Sequence, residues 1–332
     1  MLVSDFKPIP FLLITECNLC LNCWLYQQSG ATPIKNVANF AVIFQLMRLW
    51  PTLCICNKNL VMKKLLVAFN ATNYSNALAE FAIKIARHSN STLHAVFLSP
   101  SFLPMTYPFP NDLPIASVGL ISTVEMVEET KKLTEADIQL FQDDCAAHNV
   151  ACTIEQSTNI TLEDLIDHSA FTDLILCDAK EELGGISVRD LLVDTHCPVL
   201  LVPQKVSTPT TAILCYDESF SSILAMKMYS YLFPEWRELP ATVVSINPKG
   251  DNGLKHDDYL NDWLPQHFPV VQKQILQGNL QRELVSFIRK NDEHAIVVMG
   301  AYGRNAVSRL FHRSLSNIVI DETNALLFIM HE

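Results

Sequence analysis

Two glycines, an arginine and a serine near the carboxyl end of the sequence have the types and the spacing of an anion-binding loop. Gly300 and Gly303 follow the apolar run 295–299, and nine residues separate Gly303 from the pair Arg313 and Ser314. A strand that ends in small residues and leads into a helix exposes backbone N–H groups, which suit a phosphate. The sequence therefore predicts a phosphate-binding segment between a strand and a helix.

The same residues also have structural interpretations that need no ligand. Gly300 and Gly303 suit a tight turn from a strand into a helix, and Ser314 suits an exposed position on that helix. Arg313 either donates its guanidinium to phosphates or fills the space in front of the loop. The sequence leaves both alternatives for Arg313 open, and the second one hinders nucleotide binding.

Alternating strands and helices must position this segment. From residue 62 onward, short apolar runs alternate with helical patterns, which is typical of parallel sheets built from strand–helix–strand units. Five strands are predicted within residues 62–203 and five more within 210–332, and the polar, proline-bracketed segment 203–211 joins the two sets. We therefore predict an α/β protein with two tandem, doubly wound, five-stranded parallel-sheet domains.

The two predicted domains differ at the phosphate segment. Aligned by their strands, Asn70 of the first domain corresponds to Asp217 of the second, and Asp178 corresponds to Gly300. The first domain is also five residues shorter between its fourth and fifth strands. Because a carboxylate at position 178 repels phosphate, the first domain is predicted to have a degenerate site that binds no nucleotide.

Residues 1–61 do not continue this pattern. They lack a sustained period, and Cys17, Cys20 and Cys23 have a spacing found in metal sites but no matching second half. The favoured interpretation is that translation starts at Met62, which opens the first strand. The alternatives are an extension that packs or is disordered, a metal site, and a membrane anchor.

Composition and charge exclude two classes of function. The net charge is −11, to which the first 61 residues contribute two positive charges, so the remainder carries −13. A surface this acidic repels a phosphate backbone, so no nucleic-acid partner is expected. No run of 18 or more uncharged apolar residues is present, so no membrane-spanning helix is expected.

Cysteine and histidine usage points to a cytoplasmic protein without a catalytic centre. Five of the ten cysteines follow residue 61 and lie in apolar or amphipathic patterns, as expected of small buried side chains in a reducing compartment. None of the ten histidines has a metal-binding spacing such as His-Glu-x2-His. No pair of nucleophile and base is evident, so an enzyme is disfavoured beyond weak hydrolysis of ATP.

The spacing from Gly300 to Ser314 resembles the nucleotide loop of the universal stress protein family, in which a third glycine stands at the position of Arg313. Together with the order of elements, the resemblance covers about residues 62–332 and is that of a tandem member. It implies two five-stranded sheets of order 3-2-1-4-5. It also implies, in nucleotide-binding members, a site for ATP or AMP, with Mg²⁺, beyond the carboxyl ends of the first and fourth strands.

The resemblance also implies roles for single residues of the second domain. Asp217 matches an acidic residue near the adenosine, and Val244 lies in the strand whose backbone meets the adenine edge. Gly300 and Gly303 match the glycines that let amides approach the phosphates, and Ser314 matches the hydroxyl that closes around them. Asp217 also suits the N-cap of the helix that opens near residue 219.

Two functions follow from the resemblance. The first is a cytoplasmic stress-response protein whose second domain binds an adenine nucleotide. The alternative is a module without nucleotide that dimerises or binds a partner. Val199–Val202 and Leu326–Ile329 are apolar fifth strands near sheet edges, which invite association when uncovered, so we predict that they pair within the chain as an internal pseudo-dimer. Homodimerisation of whole chains stays open.

Overall fold

The computed structural model describes residues 62–98, 116–157, 160–180, 183, 185–246, 254, 256–290, 294–300 and 313–330. The predictions for residues 1–61 and for Gly303 lie outside this part of the chain. Among the helices described, none combines the length with the apolar character that crossing a bilayer requires.

The first repeat alternates five strands with four helices, as the sequence predicts. In chain order its elements are β1 (Lys64–Asn70), α1 (Asn76–Ser89), β2 (Thr92–Leu98), α2 (Ala116–Ala147), β3 (Cys152–Ser157), α3 (Leu162–Ser169), β4 (Leu174–Asp178), α4 (Val188–Asp194) and β5 (Val199–Val202).

The second repeat has the same order and adds a short 3-10 turn, Trp236–Glu238, after its first helix. Its elements are β6 (Thr211–Cys215), α5 (Phe220–Leu232), β7 (Ala241–Ile246), α6 (Asp257–His267), β8 (Val271–Leu276), α7 (Leu280–Arg289), β9 (Ala295–Gly300), α8 (Arg313–Glu322) and β10 (Leu326–Met330).

Local chemistry explains where these elements lie. All five residues of β4 and all four of β5 are buried, because strands of a parallel sheet are covered on both faces and need continuous apolar runs. Five of the described helices, α1, α3, α4, α5 and α7, begin after a residue whose side chain caps them. Thr161 accepts a hydrogen bond from the backbone N–H of Asp164, whose carboxylate bonds back to Thr161 in a capping box.

All ten strands of the described part of the chain form one sheet, with the order β3-β2-β1-β4-β5-β10-β9-β6-β7-β8. Each repeat is a parallel sheet of order 3-2-1-4-5, which confirms the predicted fold class. The two fifth strands pair antiparallel, with Phe328 opposite Leu200 and Leu327 opposite Leu201. The predicted pairing of Val199–Val202 with Leu326–Ile329 is therefore confirmed, and we call this contact the seam.

Helices cover both faces of the sheet and enclose two cores. One core contains residues from α1, α2, α5 and α6, and the other contains residues from α3, α4, α7 and α8. Successive strand residues alternate between them, so that Leu65 lies in the first core and Leu66 in the second. Helices that occupy equivalent places in the two repeats therefore lie on the same face of the sheet.

Aromatic packing from α5 covers the seam. Phe328 is fully buried, and the centroid of its ring lies 5.8 Å from that of Tyr229 and 6.0 Å from that of Phe233. The Tyr229 hydroxyl donates to the Trp236 carbonyl at 3.1 Å, so the polar end of this buried side chain is bonded. The seam therefore has an aromatic core on the face that carries α5.

We expect Phe328→Ala to lower the free energy of unfolding by about 3–5 kcal/mol, because it leaves a cavity under the seam. Phe171→Ala is the matched control, because 80% of the Phe171 side chain is exposed, and its effect should stay within about 0.5 kcal/mol. Urea unfolding of both variants measures the difference. Equal effects would show that the seam is not packed as described.

Candidate functional site

The candidate site lies at the carboxyl ends of β6 and β9, which are neighbours in the sheet. From β6 the chain crosses to β7 on one side, and from β9 it crosses to β10 on the other. A crevice forms where connections diverge in this way, and open α/β sheets bind ligands there. The first turn of α5 follows β6 and therefore lies at this switch point.

Gly300 ends β9 directly against the first turn of α5. A Cβ atom added to Gly300 would lie 2.4 Å from the backbone carbon of Ser221 and 2.4 Å from the nitrogen of Ser222. Both are main-chain atoms of a helix, so they cannot move aside cheaply. The structure thus gives Gly300 a packing role: it lets the amino end of α5 approach the end of β9.

Asp217 forms the turn between β6 and α5. Its Oδ1 accepts a hydrogen bond from the Ser219 N–H at 3.0 Å and another from the Ser219 hydroxyl. The N-cap of α5 is Ser219, whose hydroxyl accepts from the Ser222 N–H at 3.1 Å. The interpretation of Asp217 as the N-cap is therefore wrong, because a two-residue turn separates the carboxylate from the helix.

Asn70 forms the same turn in the first repeat, since its Oδ1 accepts from the Thr72 N–H at 3.0 Å and the Thr72 hydroxyl at 2.8 Å. The turn itself therefore needs a side-chain oxygen and no negative charge. Asp217 gives the second repeat a negative charge that the turn does not require.

Val244 lies inside the sheet, next to the candidate site. It is 2% exposed, and its carbonyl accepts a hydrogen bond from the Tyr216 N–H at 2.9 Å. The carbonyl oxygen thus already has one partner within the sheet.

The remaining predicted residues are described only in part. Arg313 and Ser314 are the first two residues of α8, and their side chains lie outside the described part of the chain, as does Gly303. Both alternatives for Arg313, phosphate binding and filling of the crevice, stay predictions.

A buried carboxylate occupies the corresponding place in the first repeat. Asp178 ends β4 and is 3% exposed. Its Oδ2 accepts from the hydroxyl of Ser75, the N-cap of α1, at 3.2 Å, and its Oδ1 accepts from the Lys180 N–H at 2.9 Å. The amino end of α1 therefore already faces a negative charge of the protein itself.

Ser221 is a residue of this region that sequence reasoning missed. It lies in the first turn of α5 and is 2% exposed, and its hydroxyl finds no hydrogen-bond partner among the described residues. A buried hydroxyl without a partner costs about 1–3 kcal/mol. The sequence places three serines close together, at positions 219, 221 and 222, and gave no signal of which hydroxyl caps the helix and which one is buried without a partner among the described residues.

An apolar cleft of 470 Å³ adjoins the switch point between α5 and α6. Tyr216 and Ser219 line it, together with the aromatic side chains of Phe220, Tyr259 and Trp263. Phe220 and Tyr259 are 67% and 76% exposed. Burial, and next the charges of Glu218 and Asp217, raise the pKa of Tyr216 to about 12, so this phenol stays neutral.

Two residues with unfavourable backbone conformations line the same cleft. Among the described residues, Asn90 and Asn149 have positive φ next to helix ends, a conformation that asparagine tolerates. Glu218 and His256 have φ of 65° and 61° and both line the cleft. Such conformations cost about 1–3 kcal/mol each and cluster at ligand sites.

Comparisons with known proteins give the fold. No protein-family model matches the sequence, and no curated protein matches it. A universal stress protein from Archaeoglobus fulgidus DSM 4304 superposes with a TM-score of 0.58 at 12% identity, over 82% of this chain and 98% of that one. This confirms, at the level of fold, the resemblance to universal stress proteins.

Two further solved structures, both from Pseudomonas aeruginosa, cover 82% of this chain and 94% of their own. A functionally unknown protein from strain PAO1 has a TM-score of 0.47 at 12% identity. A putative universal stress protein from strain UCBPP-PA14 has a TM-score of 0.45 at 14% identity.

We expect Gly300→Ala to lower the free energy of unfolding by about 1–3 kcal/mol, because the new methyl group forces α5 away from β9. Met299→Leu, a volume-conserving change next to it in the same strand, should cost under about 1.5 kcal/mol. Thermal or urea unfolding measures both. A Gly300→Ala variant as stable as the parent would mean that α5 does not seat against this strand.

Proposed function

We propose that the chain is a tandem member of the universal stress protein family whose second repeat binds an adenine nucleotide, ATP or AMP, at the ends of β6 and β9. The observation that carries the proposal is the exchange of one carboxylate between the repeats. The first repeat has an amide at the end of its first strand and an acid, Asp178, at the end of its fourth. The second has the acid, Asp217, on the first strand and Gly300 on the fourth.

This exchange suits the two ends of a nucleotide. A carboxylate has about four acceptor sites, and Ser219 uses part of this capacity in Asp217, so acceptor sites are left for ribose hydroxyls. The end of β9 carries Gly300, which has no carboxylate, and the helix dipole favours a phosphate at the adjoining amino end of α5. In the first repeat the same place already holds the Asp178 carboxylate, which repels phosphate.

The buried hydroxyl and the cleft support the same placement. The Ser221 hydroxyl is a donor at the amino end of α5, where a phosphate oxygen would supply an acceptor. The cleft has the volume of a small-molecule site and an apolar, aromatic lining with few polar groups, which suits a purine base. A stress-response role in the cytoplasm is proposed from the fold resemblance. The five described cysteines are free thiols, as expected in a reducing compartment.

One observation favours the alternative function, a partner-binding module without nucleotide. Phe220 and Tyr259 expose large aromatic surfaces, and exposed apolar patches commonly mark protein interfaces. The two functions differ in what fills the cleft, so nucleotide binding decides between them.

We expect ATP with Mg²⁺, or AMP, to raise the melting temperature of the full chain. A ligand at 100 times its Kd stabilises the folded state by about 2.7 kcal/mol. Ser221→Ala should reduce this shift and leave the ligand-free protein at least as stable as the parent, because it removes a buried hydroxyl that has no partner among the described residues. Thermal unfolding with and without nucleotide measures both effects.

The matched control is Ser230→Ala on the same helix. Ser230 is 1% exposed, and its hydroxyl donates a hydrogen bond to the Lys227 carbonyl at 2.8 Å. Nucleotide should raise the melting temperature of Ser230→Ala by as much as that of the parent. No shift in the parent at millimolar nucleotide would reject nucleotide binding and leave the partner-binding module.

We expect Tyr259→Ala to weaken nucleotide binding by about 1–3 kcal/mol, the range found when an aromatic side chain that stacks on a base is removed. The exposure of Tyr259 makes a folding defect unexpected, and the equally exposed Phe171→Ala serves as control. Titration calorimetry measures the affinities. Unchanged affinity for Tyr259→Ala would place the base outside this cleft.

A further inference from the structure

Three side chains from separate elements of the first repeat converge at one edge of the sheet. They are His94 on β2, Glu155 on β3 and His168 on α3. The Oε2 atom of Glu155 lies 3.0 Å from the Nε2 atom of His94 and 3.7 Å from that of His168. The two imidazole rings stack at a centroid distance of 5.4 Å with an interplanar angle of 12°.

The fold brings these residues together by strand register and helix placement. His94 pairs with Thr153 across β2 and β3, and Glu155, two residues further along β3, has its side chain on the same face of the sheet. The helix α3 lies on this face. Its capping box at Thr161 and Asp164 fixes where it starts, and this places His168 in its last turn over the two strands.

The candidate ligand atoms lie close to the separation that a metal ion needs. Ligands that share a tetrahedral Zn²⁺ at bond lengths of about 2.0–2.2 Å lie about 3.3–3.6 Å from one another. One candidate atom from each of the three residues lies within 4.8 Å of the other two. The backbone thus already places the three side chains near coordination distance, and metal binding requires side-chain rotations that draw the atoms together.

A second contact orients the first histidine. The Nδ1 atom of His94 lies 2.9 Å from the Thr153 hydroxyl. Histidines that bind metals commonly have a hydrogen bond at the other ring nitrogen, which fixes the ring and its tautomer. Here that bond leaves Nε2 facing Glu155 and His168.

The second repeat shows that the fold does not require these residues. By register, Thr242 occupies the place of His94, Gln272 that of Thr153, and Gln274 that of Glu155. In that repeat Gln272 donates from its amide to the Thr242 hydroxyl at 3.0 Å. A neutral hydrogen-bonded pair is thus sufficient at this edge, and the histidines and the carboxylate of the first repeat are an addition to it.

We propose that His94, Glu155 and His168 bind a divalent transition metal of the zinc class. Two imidazole nitrogens and one carboxylate oxygen are ligands that such ions prefer. The three side chains are 16%, 37% and 29% exposed, so the ion is reached from solvent. With three protein ligands, a fourth position stays open for water or a small anion, the arrangement typical of reactive rather than purely structural zinc sites.

Zn²⁺ titration of the full chain against a chromophoric chelator tests the proposal. We expect the parent to bind one equivalent of Zn²⁺, and we expect Glu155→Gln and His168→Gln to lose it. Glu155→Gln should fold, because the second repeat has a glutamine at the equivalent position. The matched control His148→Gln changes a histidine whose Nδ1 bonds the Asp144 carbonyl at 2.8 Å, and it should retain that equivalent. Thr153→Val should weaken the affinity about 10–100-fold, as loss of an outer hydrogen bond does.

Co²⁺ absorption separates this site from cysteine sites, since the chain also contains ten cysteines. Binding through nitrogen and oxygen gives visible ligand-field bands without the near-ultraviolet charge transfer of a cobalt–thiolate bond. Loss of those visible bands in Glu155→Gln supports the proposal. Equal Zn²⁺ binding in parent, Glu155→Gln and His168→Gln, or no tight Zn²⁺ binding in the parent, would overturn it and leave a hydrogen-bonded cluster.

Discussion

The antiparallel pairing of β5 with β10 is the contact on which the arrangement of both repeats depends. A five-stranded parallel sheet of this order ends in a fifth strand whose unpaired N–H and C=O groups attract other strands. In this chain each repeat satisfies the edge of the other, and Phe328, Tyr229 and Phe233 bury the contact from one face. The apolar residues of β5 and β10 are needed for this pairing, and as a result the seam constrains the sequence more tightly than the outer edges do.

Duplication of one fold has left two chemically different halves. Equivalent backbone positions carry an acid in one repeat and a neutral residue in the other, at the ends of the first and fourth strands and again at the outer edge. The fold tolerates an acidic or a neutral residue at these positions. Asn70 and Asp217 make the same turn. Thr242 and Gln272 form a hydrogen bond at the outer edge of the second repeat, where His94 and Thr153 form one in the first. Such positions are free to acquire ligands, whereas Gly300 and Phe328 are fixed by packing.

The sequence was sufficient for the fold and insufficient for much of the site. Apolar runs predicted the strands closely: the predicted fifth strands Val199–Val202 and Leu326–Ile329 are observed as Val199–Val202 and Leu326–Met330, and their apolar character predicted the seam. The roles of Ser219 and Gly300 depend on how α5 seats on β9, a contact between segments about 80 residues apart, and no local pattern encodes it. His94 and Glu155 likewise meet only through the register of an edge strand, so a search for local metal-binding spacings could not find them.

The antiparallel seam also has a consequence for communication between the repeats. Because β5 and β10 run in opposite directions, the carboxyl ends of β4 and β9 lie at opposite poles of the sheet, and a molecule seated at one pole cannot touch the other. Any influence of one repeat on the other must therefore pass through the protein between the two poles, and the paired strands β5 and β10 lie at its centre. The rigidity of the seam then decides how strongly the two repeats are mechanically coupled.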